Sequence, residues 1–213
     1  MKRSTMMGLP LFALLAAALT ACGSSSPSTG GRPPLPSGVE VRHPAAPAGG
    51  TVYLNLLTES GESVFQQAVT AGATSTAVNV NPASWQGPVS LAQPVESLLP
   101  AGAEGVQVSA PGTRVLFLRW LMWQDRNSNG TRDSGEALDL MTHDRVVYAA
   151  GAVNVSFTTA EPRMIQRWQL GQGWGRAEHY VYLPLGSDTY RRSLESQGLQ
   201  RYELHVPTPI TSQ

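Results

Sequence analysis

Cysteine is nearly missing from this chain: Cys22 stands alone among 213 residues. That excludes intrachain disulfides as the source of stability, and it excludes a thiolate metal centre. Lysine is equally scarce, with Lys2 the sole example, and the other basic side chains are all arginine, from which we read no binding patch. Long apolar runs are absent too. The longest, Leu9 to Leu19, is too short for a permanent membrane span, which needs ~20 apolar residues. The chain contains no zinc-protease helix motif, no Gly-x-Ser-x-Gly elbow and no phosphate-cradling glycine loop. Helical spacing of apolar residues is scarce.

The N-terminus does have a recognisable plan. Met1-Lys2-Arg3, the apolar run and then Leu19-Thr20-Ala21-Cys22 form the three parts of a bacterial export signal. The tetrad resembles the lipobox of bacterial lipoproteins. That resemblance implies removal of residues 1–21, a lipid on Cys22, attachment to a membrane through that lipid, and a position in the cell envelope facing the periplasm or the exterior. Without Lys2 and Arg3, fifteen basic side chains fall to thirteen against fifteen acidic ones, a formal charge of −2. No basic excess remains to neutralise phosphates, so nucleic acid is excluded as a partner. From Cys22 to Gly50 the chain is rich in Ser, Pro, Gly and Ala and has too little apolar surface to offset the entropy of ordering it. We expect a disordered tether over residues 22–50, one folded domain over 51–207, and a tail over 208–213.

Within that domain, period-two alternation predicts an antiparallel β-sandwich. Thr51 to Thr58 and Glu62 to Val69 read as a hairpin around Ser60-Gly61. Short strands are expected at Ala77–Val80, Val89–Ala92, Val106–Val108, Val146–Ala149 and Val153–Thr158, with Gly151 separating the last two. Arg114 to Trp123 is apolar on both faces and should be a central strand, with Arg119 needing a carboxylate, a carbonyl or an exit to solvent. Pro162–Leu170 and Trp174–Leu185 read as a second hairpin, with Trp168 and Trp174 paired across its turn. Asp188 to Gln197, with Tyr190 and Leu194 spaced i,i+4, reads as a short C-terminal helix, and Leu199–Val206 as a closing strand.

The most specific signal is the twelve-residue stretch Asp125 to Glu136. It carries oxygen donors at positions 1, 3, 5, 9 and 12 and glycine at position 6, the spacing with which a chain wraps Ca²⁺. The expected ligands are Asp125, Asn127, Asn129, the Thr131 carbonyl, Asp133 (directly or through a water) and Glu136. Two of the donor side chains are neutral amides, so we expect a modest dissociation constant of about 10⁻⁴–10⁻³ M. The stretch resembles the EF-hand loop, with two departures: a strand precedes it, and Arg132 holds the usually apolar eighth position. With its leading Trp123 it is similar to EF-hand-like loops inserted in bacterial surface β-sandwiches, the B-repeat modules of adhesins and prealbumin-like domains. That resemblance implies a structural ion and assigns no substrate.

His43, His143, His179 and His205 are scattered along the chain. His43 falls in the expected tether, and His143 with Asp144 follows the loop closely. Trp120, Trp123, Trp168, Trp174, Tyr180 and Tyr182 form either core or a binding face. The sequence thus points to a lipid-anchored envelope protein with structural Ca²⁺, a structural or binding module and not an enzyme, whose partner is an envelope protein or glycan. Two alternatives stay open: a carbohydrate- or protein-binding module using the aromatic face, and a hydrolase with unrecognised catalytic residues.

Overall fold

The computed structural model describes residues 38–79, 89–198 and 200–207. Cys22, the export signal and the 208–213 tail lie outside them, as do Val80 and Leu199.

The strands are β1 (Glu40–Arg42), β2 (Thr51–Thr58), β3 (Ser63–Val69), β4 (Ser75–Ala77), β5 (Gln93–Pro94), β6 (Glu104–Val108) and β7 (Arg114–Asp125). They continue with β8 (Arg145–Ala149), β9 (Val153–Ala160), β10 (Arg163–Leu170), β11 (Gly173–Tyr182), β12 (Tyr190–Gln197) and β13 (Arg201–Glu203). Ten of them form one sheet in the order β3-β2-β7-β8-β11-β12-β10-β9-β6, with β5 pairing β7. Three form a small sheet, β13-β1-β4. Pairing is antiparallel except for β1 with β13 and β10 with β12. The all-β, antiparallel-dominated class read from the sequence is the one that forms.

As expected, β7 is central, paired with β2 from Leu118 to Asp125 and with β8 from Val115 to Leu118, while β5 pairs with Arg114 and Val115. Its alternation supplies both faces of the large sheet. Leu116, Leu118, Trp120 and Met122 join Leu54, Leu56 and Phe65 in one cluster, and Val41 and Tyr202 of the small sheet pack into it. The two sheets thus share a core in a β-sandwich-like way. On the opposite face Val115 and Phe117 join Val147, Val155, Phe157 and Leu194. Trp120 packs edge-on against Phe65 and Tyr202 at centroid distances of 6.3 and 5.8 Å. Trp123 stacks on Tyr53 at 4.7 Å and donates from Nε1 to Asn55 Oδ1 at 3.1 Å. Both indoles are buried, so they belong to the core.

Several expectations are corrected. The domain starts earlier than Thr51: Val39, Val41, His43 and Ala46 are buried, and β1 lies inside the stretch read as tether. The apolar residues there are few but alternate, and β4 and β13 supply hydrogen-bonding edges for them. Val89–Leu91 is a 3₁₀ turn closed by Ala92 N–H to the Val89 carbonyl at 2.9 Å, not a strand; Pro94, lacking an N–H, limits pairing to a two-residue bridge with β7. Asp188–Gln197 is not a helix, because Tyr190 onward forms β12, filling the gap between β10 and β11. That insertion also removes the expected β10–β11 hairpin. Trp168 lies on the second face with Phe117 and Phe157, Trp174 packs against Tyr148 on the first, and the two indoles do not pair. The closing strand shortens to β13, followed by a single bridge between His205 and Met141.

Candidate functional site

The Asp125–Glu136 loop grows directly out of β7. Asp125 is its last residue, and the chain returns to pair with the strand it left: Gln124 N–H donates to the Glu136 carbonyl and Leu138 N–H to the Met122 carbonyl, both at 2.9 Å. Trp123 and Ala137 form a bridge there. The first and last expected ligands therefore sit side by side at the base, 3% and 5% exposed. Gly130, at the sixth position, has φ +73°, a left-handed turn that glycine adopts without steric cost.

Hydrogen bonds within the loop orient its oxygens. Asp125 accepts from the N–H groups of Asn129 and Gly130 at 3.1 and 2.9 Å. Glu136 accepts from those of Arg126 and Asp133 at 3.0 and 2.8 Å. Asn127 Oδ1 and Asn129 Oδ1 accept from the N–H groups of Asn129 and Thr131, at 3.1 and 2.7 Å. The side-chain amides of Asn127 and Asn129 both donate to Asp133 Oδ2, at 2.7 and 2.8 Å. Five of the six expected ligands thus meet in one knot through their side chains, and Thr131 joins by its N–H.

Whether this knot fits Ca²⁺ turns on its charge. Asp125, Asp133 and Glu136 form no ion pair with an arginine or histidine among the described residues. Two buried carboxylates supported only by N–H dipoles are short of a counter-charge, and a carboxylate oxygen that accepts one N–H keeps a lone pair for a cation. The donor chemistry fits a hard cation. Against this, no set of three or more His, Cys, Asp or Glu side chains is gathered at metal-binding geometry among the described residues. The asparagines also turn their amide nitrogens toward Asp133. The flanks are a strand before the loop and no helix after it.

A second feature lies on the second face of the large sheet. An open cleft of about 860 Å³ is walled by Phe117, Phe157, Trp168, Met164 and Leu194, with Arg192, His179, His143 and Arg145 bringing polar groups to it. Cross-strand register explains the grouping: Trp168, Leu194 and His179 lie in one row across β10, β12 and β11, and Phe157, Gln166 and Arg192 in the next across β9, β10 and β12. Directly paired residues share a face. His143 lies 6.1 Å from His179 and 5.9 Å from His205, centroid to centroid, so three of the four histidines converge. Burial, then the positive charges of Arg192, His143 and Arg145, push the half-buried His179 from 6.5 down to about 4. Among the described residues, no hydroxyl or carboxylate is hydrogen-bonded to these three rings, whereas His43 bonds Thr76 Oγ1 at 2.9 Å in the core.

Elsewhere, Glu40 ties the small sheet together, accepting from Ser75 Oγ at 2.8 Å and Arg201 Nε at 3.1 Å. The Ser75 hydrogen bond, with Arg201 and Arg42 nearby, holds its carboxyl below the usual range. Near the β11–β12 connection Tyr180, Val181, Tyr182, Leu183, Leu185 and Tyr190 are all exposed.

The geometry defines an all-β protein with an acidic oxygen-donor loop on its central strand and a mixed apolar and cationic cleft. Compared with protein-family models, curated proteins and solved structures, the chain finds no match in any of the three. Sequence reasoning named His143 and His179 but not their convergence, and it missed Arg192 and Gln166. The available signal was the alternation Tyr190, Arg192, Leu194, which also fits a helix at i,i+4.

Proposed function

We propose that this chain is an exported lipoprotein of the bacterial cell envelope, tethered through a lipid on Cys22, whose β-sandwich serves as a structural or binding module stapled by one Ca²⁺. The observation that carries the staple is the pair of buried carboxylates, Asp125 and Glu136, closing the base of a loop on β7 with no ion-paired arginine or histidine among the described residues. Asp125, Asn127, Asn129, Asp133 and Glu136, with the Thr131 carbonyl, would hold the ion. Bound there, Ca²⁺ supplies the positive charge that three carboxylates lack. Binding is carried by the cleft on the second face of the large sheet. A second reading, recognition of a glycan or protein on an aromatic face, is favoured by the exposed Tyr180 and Tyr182, which share one face of β11.

Thermal melting in a millimolar Ca²⁺ titration tests the staple. At a hundredfold excess over the dissociation constant, binding to the folded form alone adds about 2.7 kcal/mol. For a domain of this size that raises Tm by about 5–10 °C. Glu136→Gln should abolish the rise, whatever it does to the starting Tm. A wild-type Tm indifferent to Ca²⁺ would remove the metal from the proposal.

A further inference from the structure

Arg192 is the uncommitted cation of the cleft. It lies on β12, with Gln166 of β10 on one side and Val181 of β11 on the other, and its Nε is buried with no hydrogen-bond partner. No acid pairs with it among the described residues. Arg145, the other arginine of the wall, is different: its Nε is committed to Glu59 at 2.9 Å. Glu161, the remaining acid, stands exposed at the β9–β10 turn. A guanidinium nitrogen removed from water with no acceptor costs free energy that an incoming anion would recover.

The surroundings narrow the ligand. His179 is held neutral by burial and by the arginines around it, so it offers one N–H donor and no second full charge. Among the described residues of the lining, Arg192 is the arginine without an acid partner, and beside the neutral His179 it matches a monoanion better than a doubly charged phosphate. Next to these groups, on the same face, the lining is apolar: Trp168 is packed edge-on by Phe117 and Phe157 at 5.6 and 5.3 Å, with Met164 and Leu194 also in the lining. The volume, about 860 Å³, is that of a small-molecule site.

We propose that this cleft binds an organic monoanion in which a carboxylate is carried on an apolar or aromatic body. The carboxylate pairs with the Arg192 guanidinium, a planar group suited to giving a carboxylate two parallel N–H···O bonds, with His179 alongside. The body lies against Trp168 and its neighbours. This assignment rests on the binding-module reading above and gives it a ligand class.

The test is calorimetric titration of the full chain with three probes of one shape: 4-phenylbutyrate, 4-phenylbutan-1-ol and 4-phenylbutylamine. We expect the carboxylate to bind at least ~10-fold tighter than the alcohol, and the amine to bind weakest. Arg192→Gln should bring the carboxylate down to the level of the alcohol. Arg192→Lys, which keeps the charge without the fork, should fall between, with melting curves confirming that both variants fold. Equal binding of carboxylate and alcohol by the wild type would overturn the anion assignment and leave an apolar binding cleft. No binding of any probe at millimolar concentration would overturn both the assignment and the cleft's role as the binding site.

Discussion

His179 shows how a single residue reports on the cleft. Its ring is half-buried beside Arg192, His143 and Arg145, and burial first, then those charges, bring its pKa from 6.5 to about 4. The folded state therefore binds the proton less readily than the unfolded chain. The stability this represents is complete above pH 6.5 and is lost as pH falls toward 4. We expect Tm to decline across that window and His179→Gln to decline less steeply than the wild type at constant ionic strength. The difference between the two slopes is the readout, because carboxylates titrating at the lower end affect both proteins alike. Parallel slopes would show that the ring is not held neutral. At this scale the sequence was legible where one alternation sufficed, as for Trp123 on a buried face of β7. It was not legible for partners distant in the chain: nothing near Trp123 marks Asn55, buried in the apolar run of β2, as the acceptor for its indole N–H.

Two misread elements, the helix at Asp188–Gln197 and the β10–β11 hairpin, share one cause. Tyr190 and Leu194 are four residues apart, an even number, so they share a face both in a helix and in a strand. Propensity could not decide between the two, and tertiary context did, because β10 and β11 each present an edge that β12 completes. The same insertion defeats the hairpin inferred from Gly171-Gln172-Gly173, since a turn signal tells where the chain bends and not which strand it meets next. A substitution pair separates strand from helix at Glu195, which lies directly opposite Glu178, a like-charge pair unfavourable in itself. Replacing Glu195 by threonine or by alanine relieves that repulsion equally. In a strand the β-branched threonine is the more stable by up to about 1 kcal/mol. In a helix alanine wins by about 0.7 kcal/mol. We expect chemical denaturation to rank Glu195→Thr above Glu195→Ala; the reverse order would argue against β12. The Asp125–Glu136 loop, by contrast, is a local feature: the structure gathers its oxygen-bearing side chains through hydrogen bonds made within the loop, without any long-range pairing.

For the whole molecule, the instructive error is the domain boundary. Composition assigned residues 22–50 to a tether, because Pro, Gly and Ala dominate there. Yet the last part of that stretch completes the small sheet: β1 pairs in parallel with β13, residues 40–42 against 201–203, so the two ends of the domain are joined directly. Two alternating valines, Val39 and Val41, are too few to stand out in a window of that composition, and their value comes from chain more than 150 residues away. Val39 and Val41 are both fully buried in the core that the small sheet shares with the large one. Burying a valine contributes about 1.5 kcal/mol or more. Losing both, with the β1 ladder, should therefore cost at least about 3 kcal/mol, or about 6–12 °C in Tm for a domain of this length. A chain begun at residue 38 should accordingly melt at least that much higher than one begun at residue 50, with β4 and β13 in the shorter chain left without the strand between them. Equal melting temperatures would mean that the small sheet adds nothing to the core, and that the domain starts at Thr51, as composition alone suggests.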